Sequence, residues 1–319
     1  MAFALPRPSR ADWSDAADGI LGGDQAVVLA HLTPARGVVL TPVTNFGLRD
    51  RAAGTVAPVS SSVGMWRKLE RIRAAPRVAV AFHTRAHGFA DRPEYVLVQG
   101  EATVTPYERR DWVDEHREAW ERFAGPRDVG LWERWLRVYH WRSGVEIAVH
   151  RVVVWPGLRC EGPPVVHGAP LESDPPAPQR PPAKGTGPRV DHRRAARRAA
   201  ALPDVLLGWA GADGFPVVVP VAVGDAADDG IELTAAAGLV PPGGRRAGLT
   251  AHRFARHTFG QVQRKHTGWL EAGDGRLLYA PHTEAGHRLP ESRFLYRMAS
   301  GYVTRRGLRE GRAAGVLPQ

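Results

Sequence analysis

The sequence predicts a mainly β protein of the α+β class, built as two small antiparallel barrels in tandem with short helices. Three observations carry this: two blocks of short β-branched runs in the same order, a proline-rich stretch between them, and a length of 319 residues, beyond the usual size of one domain. The expected boundaries are residues 1–160 for a first barrel with a helical insert, 161–190 for the linker and 191–319 for a divergent second barrel.

In the first block AVVLAHL (26–32) and GVVLTPV (37–43) are strand runs joined by the short TPAR connection. GTVAPVSS (54–61), PRVAVAFH (76–83) and YVLVQGEATVTP (95–106) continue the series. Between the third and fourth runs, Trp66, Leu69 and Ile72 recur about three apart in MWRKLERIRA and mark a short helix. YERRDWVDEHREAWERFAG (107–125) and GLWERWLRVYHW (130–141) read as amphipathic helices over one barrel end. Their Trp112, Trp120, Trp132 and Trp135 are expected in the core, because tryptophans at helical spacing bury against a sheet. VEIAVHRVVVW (145–155) closes the barrel as a sixth strand.

Residues 162–190 hold nine of the 27 prolines and no periodic apolar signal. Such a segment tends to polyproline II and acts as a semi-rigid spacer without regular structure. After it the order returns: DVLLGWAG and FPVVVPVAV (204–223) match the first hairpin down to the Pro-Val pairs Pro42-Val43 and Pro220-Val221. GIELTAAAGLVPPGGRRAGLTAHRF (230–254) then parallels GTVAPVSSSVGMWRKLERIRAAPRVAVAF, a strand and a turn followed by a basic pair.

Composition narrows the function classes. The net charge is +10, but the arginines are scattered among acids, which argues against a nucleic-acid partner. Only DHRRAARRAA (191–200) gathers them at helical spacing, as expected of a solvated helix face. No apolar run is long enough for a membrane span, and MAFALPRPSRADW lacks the pattern of a secretory signal. Cys160 is the single cysteine, so no disulfide forms within one chain, which fits a cytoplasmic protein. His252, His257, His266, His282 and His287 match no compact metal-binding spacing, so no metal is expected. No glycine-rich dinucleotide fingerprint or phosphate loop occurs.

One stretch stands apart. Lysine occurs only at Lys68, Lys184 and Lys265, and Lys68 follows a hydroxyl cluster in SSSVGMWRK (60–68). Hydroxyls before a helix and cations in its first turn form an anion site, since the unpaired amides there already favour negative charge. Ser60, Ser61, Arg67 and Lys68 are therefore candidates for holding a phosphate.

The Pro-Val strand end, the serine-rich strand end, the helical lysine, the Pro-led strand and the VQGEATV strand together resemble the pyridoxamine 5′-phosphate oxidase-like, FMN-binding split-barrel family. The resemblance covers about residues 20–105 and, more weakly, 200–285. It implies a split barrel holding a flavin, or a deazaflavin, at a two-fold interface, and some such barrels hold haem. By this resemblance the phosphate falls to Ser60, Ser61, Arg67 and Lys68, the ring edge to Thr41, Pro42 and Val43, and a polar ring contact to Gln99 and Gly100. Residues Ala235–Ala237 and Arg245-Arg246 replace the hydroxyls and basic pair in the second copy. A tandem chain of this kind acts as an internal pseudo-dimer or forms a homodimer, and the HTGWLE stretch then turns His266 and Trp269 toward the ring. The implied function is an FMN-dependent oxidoreductase acting on a small molecule. The alternatives are a deazaflavin-dependent reductase and a non-catalytic flavin- or haem-binding protein. Hydride chemistry needs no triad or carboxylate pair, and no catalytic residue is marked.

Overall fold

The computed structural model describes residues 12–318, and its architecture is mainly β, with two antiparallel sheets each curled into a split barrel. The segment read for a secretory signal lies almost wholly in residues 1–11, outside the described residues. Helix α1 (Asp15–Gly23) begins where the Ser14 hydroxyl accepts from the Ala17 amide, with Asp15 and Asp18 in its positive first turn. The first barrel follows as β1 (Ala26–Leu32), β2 (Val38–Thr44), a two-residue β3 (Arg49–Asp50) and β4 (Thr55–Ser62). A 3-10 turn over Val63–Met65 leads into α2 (Trp66–Ala74), then β5 (Arg77–Phe82) and β6 (Tyr95–Val104). The insert is α3 (Trp112–Glu115), α4 (Arg117–Ala124) and α5 (Leu131–His140), and β7 (Arg142–Trp155) ends the barrel.

After a four-residue β8 (Val165–Gly168) come α6 (His192–Ala200), β9 (Asp204–Ala210), β10 (Pro216–Pro220), β11 (Ala222–Ala227) and β12 (Gly230–Thr234). The chain finishes with β13 (Gly243–Arg253), β14 (Val262–Gly273), β15 (Arg276–Arg288) and α7 (Arg293–Ala313). Strand order is β2-β1-β5-β6-β7-β4-β3 in the first sheet and β10-β9-β13-β14-β15-β12-β11 in the second. Each strand of the second order is the first plus eight, so the divergent repeat preserves every neighbour.

Two features depart from the sequence expectations, the linker and two of the tryptophans, and the second copy differs from the first between β12 and β13. The stretch between β12 and β13 contains no helix, and Arg245 and Arg246 lie within β13. The glycines and prolines of AGLVPPGG explain this, because both disfavour a helix interior. The linker is not wholly irregular, since β8 pairs with β7. It is also fastened to both barrels: the Gln179 amide donates to Arg36 O, and Arg245 donates to Pro176 O. Trp112 and Trp120 are buried with Phe46 and Phe123 as expected, but Trp132 and Trp135 are half-exposed. They dock instead on α7, with Trp135 Nε1 donating to Arg297 O at 3.0 Å.

Helix α7 has no counterpart in the first barrel, and its glycines hide it from propensity arguments. Those glycines let it approach closely. A Cβ on Gly307 would stand 1.9 Å from Gly64 O, and one on Gly301 would meet the Trp135 ring.

The two barrels share a buried cluster in which Leu206 and Val218 of the second pack among Val28, Leu40, Ala79, Tyr95 and Cys160 of the first. Polar contacts across it are reciprocal. Gln99 on β6 donates to Pro216 O on β10 at 2.6 Å, while Gln263 on β14 donates to Pro42 O on β2 at 3.0 Å. Because β14 corresponds to β6 and β2 to β10, each half offers the other the same kind of bond.

Candidate functional site

A cavity of about 490 Å³ takes its walls from three places. The first barrel supplies β2, the end of β4, the 3-10 turn and α2; the second supplies Gln261, Gln263, Lys265 and His287; and α7 adds Tyr296, Ser300, Val303 and Thr304. This size is ordinary for a small-molecule or cofactor site.

Of the residues singled out from the sequence, Thr41, Pro42, Val43, Ser60, Ser61, Arg67 and Lys68 all line this cavity. Their assembly has a local cause. Strand β4 runs the serines to the cavity floor, and Ser62 turns the chain by accepting from the Gly64 amide and donating to Val138 O at 2.9 Å. Lys68 then falls in the first turn of α2.

The serines do not act alike. Ser60 Oγ accepts from Arg142 Nε at 2.7 Å, and its carbonyl accepts from the same guanidinium. Ser62 is committed to the turn, which leaves the Ser61 hydroxyl for a ligand.

Gln99 and Trp269 lie elsewhere. Gln99 is buried between the barrels, where it accepts from Arg151 Nε and donates to Pro216 O. The resemblance assigns it to the site of its own barrel, but β6 faces the opposite cleft, and the cavity takes its glutamine from β14 as Gln263. Trp269 follows a bulge between Thr267 and Gly268, which shifts the alternation of β14. Its indole packs over Gly244 and donates to Glu271. His266 is likewise bonded at Nδ1 to Thr283 O and does not line the cavity. Gly100 sits tightly against Ala148 O, away from the cavity.

Sequence reasoning missed Arg142, Lys265, Arg71, His31 and Tyr296, all of which line the cavity. Arg142 and Lys265 sit in strands far from α2 in sequence, and only the barrel pairing brings them near. The rarity of lysine was a signal for Lys265 that spacing arguments could not use.

The cavity is electrostatically one-sided. Arg67 pairs with Glu310 at 3.1 Å, but among the described residues Lys68, Arg71, Arg142 and Lys265 form no carboxylate pair. Burial, then the charges of Arg142 and Lys265, hold the Lys68 ammonium down to about 7. Burial and Arg71 lower Lys265 in the same way. His31 is 1% exposed with neither ring nitrogen bonded, and burial followed by Lys68, Arg71 and Lys265 pushes it down to about 3. Trp66 Nε1 and Gln263 Oε1 are also buried without partners. The cations and the unpaired Trp66 donor favour an anionic ligand, and the Gln263 oxygen suits a donor on the same ligand.

Other charged groups are spent on structure. Arg193 pairs with Asp228, and Arg194 and Arg198 pair with Glu284, so the α6 arginines form a salt-bridged face. Arg246 bonds to Gln179 of the linker. No described helix is long and apolar enough to cross a membrane.

No family model matches the chain, and no curated protein matches it. Among solved structures, a conserved hypothetical protein from Mycobacterium tuberculosis is similar over 49% of this chain and 92% of its own, at 20% identity and a TM-score of 0.33. A Clostridium acetobutylicum protein related to a Bacillus subtilis general stress protein, of the pyridoxinephosphate oxidase family, is similar over 45% and 84%, at 9% identity and a TM-score of 0.30. A heme binding protein from Mycobacterium smegmatis is similar over 96% and 100%, at 16% identity and a TM-score of 0.32.

Proposed function

We propose that the cavity binds a phosphorylated flavin, FMN in the first instance, and that the protein is a flavin-dependent oxidoreductase acting on a small molecule. The observation that carries this is the set of four cations without carboxylate partners, Lys68, Arg71, Arg142 and Lys265, around one cavity that also offers the free Ser61 hydroxyl. A compact ammonium at the start of a helix suits a phosphate as a point charge, while the Arg142 fork is held by Ser60 and ready to present its remaining donors. The apolar side chains of Pro42, Val43 and Val303 that line the cavity suit a flat ring system. When bound, the flavin would supply hydride or electron transfer. The protein would orient it between β2 and the β14 wall and use Gln263 and Tyr296 as polar contacts. On this reading the tandem chain is its own pseudo-dimer, one barrel gripping the phosphate and the other covering the ring.

A second reading, haem binding, is favoured by one specific observation. His31 has an unbonded imidazole that burial keeps neutral and that would hold the iron, with cations nearby that would pair with propionates. The purified protein separates the two. A flavin spectrum on denaturation, with bleaching by dithionite and reoxidation by an acceptor, supports the first. A Soret band that disappears in His31→Ala supports the second and overturns the first. A bound deazaflavin would keep the anion site but replace FMN as its ligand.

A further inference from the structure

Away from the cavity, His83 follows β5 and His252 is the last residue but one of β13, and their Nε2 atoms lie 2.8 Å apart with ring planes at 85°. Strand β1 pairs with β5 as β9 pairs with β13, and Ala26 occupies in β1 the place Asp204 holds in β9, opposite His252. By that correspondence His83 and His252 are equivalent residues that meet where the two halves face each other. His252 is fully buried, His83 is 6% exposed, and the Asp204 carboxylate lies 4.0 Å from His252 Nδ1.

Neutral imidazoles alone leave this arrangement unsatisfied. His83 Nδ1 lies 3.1 Å from Ala81 O and must carry its proton to bond there, so His83 Nε2 is a bare lone pair. If His252 donates from Nε2, its Nδ1 lone pair is buried without a partner and faces the Asp204 carboxylate. If His252 carries the proton on Nδ1 instead, two Nε2 lone pairs face each other. In this second form a cation between the two Nε2 lone pairs removes the conflict, and the His252 Nδ1 proton faces the Asp204 carboxylate. Each of the three residues offers a ligating atom within 4.8 Å of the other two.

We propose that His83, His252 and Asp204 form a site for a divalent transition cation of the zinc class, bridging the two barrels. Two imidazoles and a carboxylate are a donor set such ions take, with water completing the shell. Tetrahedral ligation at about 2.0–2.1 Å places two nitrogens about 3.3 Å apart, so the pair opens by roughly half an ångström on binding. The Ala81 carbonyl is the outer partner that fixes the His83 ring. Asp204 is the more exposed edge and gives the ion its entry. The charged groups facing the site are Asp24 and its partner Arg85, whose guanidinium bonds the Asp24 carboxylate at 2.5 Å. Burial raises the Asp24 carboxyl to about 7 against the pull of Arg85, and Asp204 is the acidic ligand of the site. Because the ligands lie on different barrels, 169 residues apart for the histidines, no spacing rule could find them.

The test uses the full-length, tag-free protein after chelator treatment, titrated with Zn²⁺ by calorimetry and with Co²⁺ by visible absorption. One equivalent per chain at low micromolar or tighter affinity, a rise in Tm, and Co²⁺ ligand-field bands are expected. His252→Gln and His83→Gln should abolish stoichiometric binding, and Asp204→Asn should weaken it about ten- to a hundredfold. Absence of a stoichiometric Zn²⁺ isotherm and of Co²⁺ bands in the wild type overturns the proposal. Unchanged binding in the variants also overturns it. If the histidine variants fail to fold, the wild-type titration and the half-buried Asp204→Asn decide.

Discussion

Lys68 concentrates the chemistry of the cavity in one side chain. Replacing it with alanine removes a charge-assisted contact worth about 1.5–3 kcal/mol, so FMN affinity should fall about tenfold or more, while Ser61→Ala should cost on the order of 1 kcal/mol. Titration of apo protein at fixed ionic strength ranks them, and equal affinity for wild type and Lys68→Ala would dispose of the phosphate assignment. Arg246→Ala should leave FMN binding unchanged, since that guanidinium bonds the linker. The pH dependence has a defined sign. In the free protein Lys68 loses its proton near pH 7, and a bound anion favours the charged form, so binding above pH 7 takes up a proton. The phosphate is already dianionic there, its second pKa being about 6, and affinity should fall by up to about tenfold per pH unit. Stability of the free protein should move the other way. The folded pKa lies below the ordinary 10.5, so this lysine's penalty is full below about 7 and fades as pH rises toward 10.5. Lys68→Arg, which keeps its charge throughout, should flatten both profiles.

At the scale of the element, α7 decides whether the cavity has a wall. It rests on a backbone-to-backbone approach of Gly307 to Gly64, which no side chain can enter. Gly307→Ala should therefore lower stability by roughly 1–3 kcal/mol through overpacking and weaken FMN binding with it, whereas Gly273→Ala, with open space around its Cβ, should do neither. Thermal melts and titrations of the two variants check this. The strands of both barrels were legible from β-branched runs and turns, because strand pairing buries apolar side chains that the sequence displays directly. Helix α7 was not, because its three glycines and many arginines suit one close contact and a solvated face and give no apolar stripe. The same contrast holds for the site. Its serine and lysine cluster was legible because those residues are neighbours in sequence. Arg142 and Lys265 were not, since their approach to Lys68 depends on which strands pair. Gln99 and Trp269 were misplaced because one faces the other cleft and a bulge shifts the other.

For the whole molecule, the linker and the shared core make opposite demands on a protease. Residues 162–190 expose prolines and glycines to cleavage, yet Gln179 and Pro176 tie the segment to both barrels, and Leu206 and Val218 are buried among first-barrel residues. Limited proteolysis is expected to cut in this stretch and leave two fragments that still co-elute on a sizing column. Fragments that separate would show that the buried cluster and reciprocal glutamine bonds do not hold the halves together.

The reciprocal bonds of Gln99 and Gln263 have a further consequence. Two identical subunits joined through such contacts would part on dilution and would have to keep both clefts alike, since one gene would write both. Here the halves travel on one chain, so one cleft can fill with Arg151 and Asp213 while the other stays open. The walls of the open cleft meet at a local concentration set by the tether, not by the solution. Ligand affinity should then be the same at nanomolar and micromolar protein, a constancy that a cavity shared between separate subunits would lose.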